Sequence, residues 1–484
     1  GFDRLAGSWL ATSSRRRGGV RVGAWRPRHC PGHVDADLPE HGRQVEAERL
    51  ELLDWMAAWD LNTYAYAPKD DLKHRALWRE PYAEAEARTL ADLIRAADQR
   101  QIQFIYALSP GLDIRYSDET ERDLLRRRFD QLLALGCRQF ALLFDDIPDA
   151  LNAADRERFG SFAAAQCHVA NALFGWTRER CPQARFFFCP TAYCERMATA
   201  QLGGPHYLAT VGAQLAPEID VFWTGPEIIS REISAAHVRT WQPVLRRKPV
   251  IWDNLHANDY DGRRFFCGPY AGRPLELRAE VTGLLANPNT EFPLNFVPLR
   301  TLAAFTRLPL TAEWDPRRAY LSAMGEWLPH FATLGPPLPL EDLIVFGDCY
   351  YLPHEEGPEA EAFYQSTRAL LAQDPAGWGE GAAAWRRQAA RLLRFCARLT
   401  ELRRRPLFNA LFRRAWELRE ELALLDYYVE FKSRPGQAAA PCRSDFHQPG
   451  VFRGGLVARL QQLLHLEPDG AWSPGLAAPP RETP

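Results

Sequence analysis

Up to about residue 300 the chain alternates short apolar runs with longer stretches whose apolar positions recur every three to four residues. The runs are 62–68 (NTYAYAP), 103–109 (QFIYALS), 139–145 (QFALLFD), 185–190 (RFFFCP), 220–224 (DVFWT), 249–253 (PVIWD) and 291–298 (EFPLNFVP). Apolar runs bounded by polar residues suit strands buried on both faces, as in a parallel sheet. Helical period marks 45–59, 84–99, 118–135, 154–179, 234–246 and 275–286 between them. Strands joined through helical crossovers predict an α/β architecture. Seven of them in one region predict a (β/α)8 TIM-type barrel whose first strand lies upstream of 45–59. Residues 19–25 (GVRVGAW) are the candidate for that strand. A doubly wound open sheet is the competing topology, but it would carry a Gly-rich phosphate loop after an early strand, and none is found.

After about residue 312 the strand pattern stops. Segments 315–332, 340–351, 357–373, 380–404, 406–433 and 450–465 all have helical period and predict an all-α domain, joined through the Pro-rich stretch 335–340. The expected organisation is an atypical N-terminal segment at 1–44 that could hold a divergent first strand, a barrel at 45–312, a helical domain at 313–469 and a disordered tail at 470–484. Within 406–433, Leu407, Leu411, Trp416, Leu422, Leu424 and Leu425 make an apolar face wider than one helix pair buries. A partner surface would cover it, and the domain's own helices are the alternative cover.

Composition acts mainly by exclusion. The chain has 484 residues, 46% hydrophobic and 25% charged, which is a globular profile long enough for two domains. A net charge of -2 offers no electrostatic basis for nucleic acid or an anionic membrane as partner. No apolar stretch is long enough for a membrane span, and no apolar secretory segment is seen near the N-terminus. Ten cysteines are scattered from Cys30 to Cys442 without a paired zinc-binding motif, which points to buried thiols in a reducing compartment rather than disulfides.

Polar side chains gather where the expected strands end. The run 139–145 stops on Asp145-Asp146, the second strand leads into Lys69-Asp70-Asp71, and the fifth into Tyr193. The sixth reaches Trp223-Thr224 and the seventh Trp252-Asp253-Asn254, followed by Asn258-Asp259-Tyr260. Asn287 falls in the loop before the expected eighth strand. Strand ends converge on one mouth in a barrel. A mouth of Asp, Asn, Lys, Tyr and Trp suits a neutral polyhydroxylated ligand, with rings against the apolar sugar face and carboxylates on its hydroxyls. Paired carboxylates also suit glycosidic bond cleavage. The bland alternatives are a surface turn for the two acids, core packing for Trp223 and Trp252, a turn cap for Asn254 and a solvated charge for Lys69. His256 with Asp259 and Asp145 could mark a metal-dependent hydrolase, but no HxH or HExxH spacing accompanies them.

The segments NTYAYAPKDDLKHRALWREPY (62–82), FIYALSPGLDI (104–114), FALLFDDI (140–147), FFFCPTAYC (186–194), WTGP (223–226) and PVIWDNLHANDYD (249–261) resemble glycoside hydrolase family 84, on its animal protein O-GlcNAcase branch. The likeness extends over 45–300, and EDLIVFGDCYYLPHEEGP (341–358) with VFRGGL (451–456) is similar to that family's helical stalk domain. A Gly-rich first-strand motif resembling EGFYGRPW has no counterpart in 1–44. The resemblance implies a retaining, substrate-assisted β-N-acetylglucosaminidase acting on O-GlcNAc-modified proteins of cytoplasm and nucleus, without cofactor or metal, as a homodimer through the stalk. It implies that Asp145 orients the substrate's acetamido group and that Asp146 is the general acid and then base. Tyr193, Asn254 and Trp252 would form the acetamide pocket, Asp259 would bind the 4- and 6-hydroxyls, and Lys69 and Asn287 would bind the other hydroxyls. The altered first strand leaves a glycoprotein-binding pseudoenzyme as one alternative, and a hexosaminidase of extracellular glycans is another. Adjacent residues of a strand point to opposite faces, so both acids reach one substrate only if regular pleating ends between Phe144 and Asp146.

Overall fold

Eight strands close a barrel in chain order: β1 (Ala11–Thr12), β2 (Thr63–Tyr66), β3 (Gln103–Leu108), β4 (Gln139–Leu143), β5 (Arg185–Cys189), β6 (Asp220–Trp223), β7 (Val250–Asp253) and β8 (Gly283–Ala286). The computed structural model describes residues 11–12, 39–68, 71–434, 444, 446–468 and 471–475. From β2 to β8 every neighbouring pair is parallel, and helices such as Glu84–Gln99, Glu119–Ala134 and Ala235–Leu245 make the crossovers. Gly160, at φ +71°, divides the helix expected over 154–179 into Ala153–Phe159 and Phe162–Arg180. The chain is thus an α/β barrel followed by helices.

Pleating sorts the strand residues into two sets. Ala65, Ala107, Ala141, Phe187, Phe222 and Leu285 meet inside the barrel, while their neighbours face the helices, as Phe140 does against Phe129 at 4.5 Å between rings. Alanines on β2, β3 and β4 face large rings on β5 to β7. Phe187 stacks on Phe222 at 5.5 Å, and Trp252 meets Phe222 edge-on at 5.2 Å. Small residues opposite large ones let the side chains of facing strands interdigitate in the interior.

The eighth strand corrects the sequence reading. It is Gly283–Ala286, not 291–298, and the helix expected over 275–286 shrinks to Leu277–Glu280. Pro293 and Pro298 cannot donate to a ladder, so 291–298 is unsuited to a central strand. It forms a 3-10 turn, Phe292–Asn295, and enters the helix Phe296–Arg307. The four residues of β8, all buried, are too short a run for period to distinguish strand from helix. The candidate first strand 19–25 lies outside the described residues. Ala11–Thr12 occupies the first-strand position instead, antiparallel to both neighbours, with Ala11 opposite Tyr64 and Ala286. Two residues suffice because β2 and β8 present edges whose backbone groups need partners.

The second unit comprises Pro316 onward together with 261–269 and 293–301, which lie after β7 and after β8 in the chain. Its main helices are Pro316–Trp327, Leu340–Asp348, Pro358–Leu371, Gly379–Arg398 and Arg405–Lys432. Asp348, fully buried, is held by a two-point contact from Arg317 at 2.7 and 3.0 Å. On the long helix Leu407, Leu411, Leu422, Leu424 and Leu425 are buried, so most of the wide apolar face is consumed within the chain. The helix expected over 450–465 covers only Gly455–Gln461, and Leu464–Leu466 pairs antiparallel with Trp472–Pro474, part of the expected tail. The eight described cysteines are buried and none forms a disulfide. Burial pushes the Cys137, Cys167 and Cys396 thiols up to about 12, away from thiolate chemistry.

Candidate active site

Interior positions on β4 are Ala141 and Leu143, so the same alternation brings Asp145 to the mouth on the inner side. On β7, Val250 and Trp252 are interior and Asn254 continues the phase; on β8, Leu285 is interior and Asn287 continues it. All three positions follow the C-terminal ends of parallel strands and therefore share one end of the barrel. Had 291–298 been the eighth strand, Asn287 would have preceded it at the opposite end. Trp223 has the other phase. It is fully buried, donates from Nε1 to His237 at 3.1 Å and packs on Trp241 at 5.1 Å, so it is a core aromatic behind the barrel wall.

Asp146 is out of phase, and the backbone corrects it. Regular pairing ends with Leu143 opposite Cys189 and the Phe144 N–H donated to the Cys189 carbonyl at 3.0 Å. Asp146 then adopts φ +50°, in the left-handed region. That region costs an L-residue roughly 1–2 kcal/mol, and Asp is among the side chains that tolerate it best. The turn brings the Asp146 carboxylate to the Tyr193 hydroxyl, which donates to it at 2.9 Å. Burial first, and then the charges of Asp146 and Asp145, push the Tyr193 phenol well above its usual range, so it stays a donor. A buried polar relay fixes the strand end behind the acids. Thr191 Oγ1 donates to the Phe144 carbonyl at 2.8 Å, Gln166 Nε2 donates to Thr191 at 2.9 Å, and the Tyr207 hydroxyl bonds Gln166.

The turn after β2 approaches the acids from the other side. His74 is buried; its Nδ1–H donates to the Ala107 carbonyl at 2.7 Å, and its own carbonyl accepts from Ser109 at 2.9 Å. Arg75 follows. Its Nη2 donates to the Asp146 carbonyl at 2.7 Å, and Nη1 lies 4.0 Å from an Asp145 carboxylate oxygen. Asp71, near the start of this turn, accepts from the hydroxyls of Tyr66 and Tyr82 at 2.7 and 2.8 Å. Lys69 lies outside the described residues.

Across the mouth, Asn254 donates to the Ile228 carbonyl at 2.7 Å and accepts from Asn287 at 2.9 Å, which fixes both amides. Beneath them Asp253 faces outward, fully buried, and binds Arg273 through both oxygens at 2.7 and 2.8 Å and the Tyr270 hydroxyl at 2.8 Å. Burial opposes its charge, but the Arg273 guanidinium prevails and holds the carboxyl below the usual range. Gly272 allows this approach. At φ +71° it passes so close to Arg231 that a Cβ would sit 2.2 Å from that residue's carbonyl oxygen. Asp259, half-buried, lies in the loop after β7. Its neighbour Asn258 accepts from the Thr290 N–H at 2.8 Å and donates to Glu291 at 3.0 Å, joining that loop to the segment after β8.

The structure therefore gathers Asp145, Asp146 and Tyr193 on one side, and Trp252, Asn254 and Asn287 on the other, with Asp259 on an adjoining loop. Sequence reasoning did not single out His74, Arg75, Tyr270 or Arg273. Their contacts link positions far apart in the chain, and nothing local marks them except that 62–82 contains two of the four. Among the described residues, no three His, Cys, Asp or Glu side chains are grouped so as to hold a metal ion.

A family model described as beta-N-acetylglucosaminidase matches residues 45–330. The chain is 45% identical over 306 residues to protein O-GlcNAcase of Rattus norvegicus, covering 63% of this chain and 32% of that protein. It is 49% identical over 306 residues to protein O-GlcNAcase of Mus musculus, with the same 63% and 32% covered. The chain thus spans about a third of the length of these curated relatives. Among solved structures, an Asp-to-Asn mutant of the Thermobaculum terrenum O-GlcNAc hydrolase is similar at a TM-score of 0.71 and 27% identity, over 86% of this chain and 84% of that one.

Proposed function

The chain belongs to the beta-N-acetylglucosaminidase family, and from that premise we propose that it removes β-linked N-acetylglucosamine from Ser and Thr of proteins with retention of configuration. The observation that carries this reading is the pair Asp145 and Asp146, brought to one mouth by a left-handed residue at the end of β4. Asp145 accepts the acetamido N–H and orients the group. The acetamide oxygen then attacks the anomeric carbon while Asp146 gives its proton to the departing Ser or Thr oxygen. The oxazoline that forms is opened by water, with Asp146 now taking the proton. The substrate supplies the nucleophile, so this belongs to the substrate-assisted exceptions among glycosidases. Tyr193, Trp252 and Asn254 form the acetamide pocket, Asp259 takes the 4- and 6-hydroxyls, and Lys69 and Asn287 take the others.

Two features support the assignment of roles. Tyr193 donates to Asp146, and the Asn254–Asn287 pair presents fixed amides rather than charges across the mouth. O-GlcNAc-modified proteins are the substrate class, a homodimer is the working assembly, and cytoplasm and nucleus are the place of action. The buried thiols support a reducing compartment. Among the described residues no helix is long and apolar enough to cross a membrane. The test is turnover by the purified chain of a 4-nitrophenyl N-acetyl-β-glucosaminide and of an O-GlcNAc-bearing peptide. Cleavage of both is expected. Binding of the glycopeptide without turnover would move the protein to the pseudoenzyme reading.

A further inference from the structure

We propose that Arg75 is a positioning residue for the acid step, holding the peptide of Asp146 in its left-handed conformation so that the carboxyl reaches the leaving oxygen. The inference rests on the glycosidase reading above. Left-handed backbone at a non-glycine residue persists only where the surroundings over-determine it. Arg75 makes a direct contact to that peptide: Nη2 donates to the Asp146 carbonyl at 2.7 Å across a separation of 71 positions. The other amino group lies between the end of β3 and the neighbouring acid, with Nη1 3.5 Å from Ser109 Oγ and 4.0 Å from Asp145 Oδ2. A planar guanidinium can address a carbonyl and a carboxylate at once, which a single ammonium cannot.

Arg75 is itself fixed. Its side chain is 13% exposed, and the residue before it is held to the end of β3 on two sides, through His74 Nδ1–H to the Ala107 carbonyl and the Ser109 N–H to the His74 carbonyl. The chain of support thus runs from β3 through a buried histidine and an arginine to the backbone of the proposed acid. The effect of Arg75 would be on where Asp146 points.

A residue acting this way leaves a signature that a merely structural one does not. Misplacing the acid slows substrates whose leaving oxygen needs a proton and spares those with a nitrophenolate. In the Arg75→Met variant, kcat on an O-GlcNAc peptide should fall about 10- to 100-fold more than kcat on the 4-nitrophenyl glycoside. KM for the two substrates should change little. Arg75→Lys, which keeps the charge but loses the fork, should show the same selective loss to a smaller degree. It also serves as the second variant if Arg75→Met does not fold, as judged by circular dichroism. Equal losses on both substrates, or no loss on either, overturn the positioning role. A wild-type chain that cleaves neither substrate overturns the glycosidase reading and this inference with it. A wild type active on both, with variants lacking the selective loss, overturns this inference alone.

Discussion

At the scale of single residues, the two acids are distinguished by geometry rather than by sequence. Asp145 continues the interior phase of β4, whereas Asp146 reaches the mouth because its backbone turns left-handed. Their roles are correspondingly separable. Asp146→Asn is expected to lower kcat about 10²- to 10⁴-fold on a glycopeptide and far less on a nitrophenyl glycoside. Asn tolerates the left-handed region as Asp does, so the substitution tests the proton and not the fold. On the proposed mechanism Asp145 orients the nucleophilic acetamide, so Asp145→Asn should slow both substrates alike. Steady-state rates on the two substrates check both statements, and equal losses for Asp146→Asn would remove it from the acid role. That a carboxylate pair ends the fourth strand was legible in 139–146. The left-handed turn was legible only as a requirement, and Asp146 takes contacts there from residues 75 and 193, far from it in the chain.

At the scale of elements, buried polar anchors fix how each loop leaves its strand. Arg273 joins Asp253 at the end of β7 to the carbonyls of Ser230 and Arg231 in the preceding loop. Truncating one partner leaves a buried charge uncompensated, so Arg273→Met should lower the unfolding free energy by about 3 to 5 kcal/mol. Denaturant titration measures this, and a loss under about 1 kcal/mol would show that the pair is dispensable. His74 makes a pH-dependent contribution. Burial pushes its imidazole below the ordinary value of 6.5, against the hydrogen bond to Ala107. As pH drops through that value the unfolded chain binds a proton that the folded chain still refuses. This part of the stability is therefore complete above pH 6.5 and is lost as pH falls toward the folded value. Melting temperatures between pH 8 and 5 should fall more steeply for the wild type than for His74→Gln. Identical slopes would acquit the histidine.

At the scale of the whole molecule, the proposed dimer has a narrower basis than the sequence suggested. The leucines of the long helix are buried, which leaves a row of rings on its outer side. Phe408, Phe412 and Trp416 follow one another at helical spacing, with centroids 5.3 and 5.8 Å apart, and Phe412 is 46% exposed. Such a row is suited to a two-fold contact in which the same surface meets itself. Light scattering is expected to give about twice the chain mass, and Phe412→Glu should shift the population toward monomer. A wild-type monomer at micromolar concentration that cleaves glycoprotein at full rate would end the dimer proposal.

By itself the sequence determined what depends on neighbours in the chain. The apolar runs that became β2 to β7 are contiguous and flanked by turn residues, so their type could be read locally, and so could Asp145 and Asp146 at the end of one of them. Tertiary structure decided the rest. It chose Gly283–Ala286 over 291–298 because a central strand must exchange hydrogen bonds on both edges, which Pro293 and Pro298 cannot do. It thereby moved Asn287 to the mouth and beside Asn254. It selected Trp252 for the interior and Trp223 for the core behind it, a one-residue difference in phase that only the closed barrel converts into a difference in surroundings. Arg75 and Arg273 act through carbonyls and carboxylates contributed by other strands and loops. A guanidinium does not announce its partner in sequence, since the partner exists only once the barrel has closed.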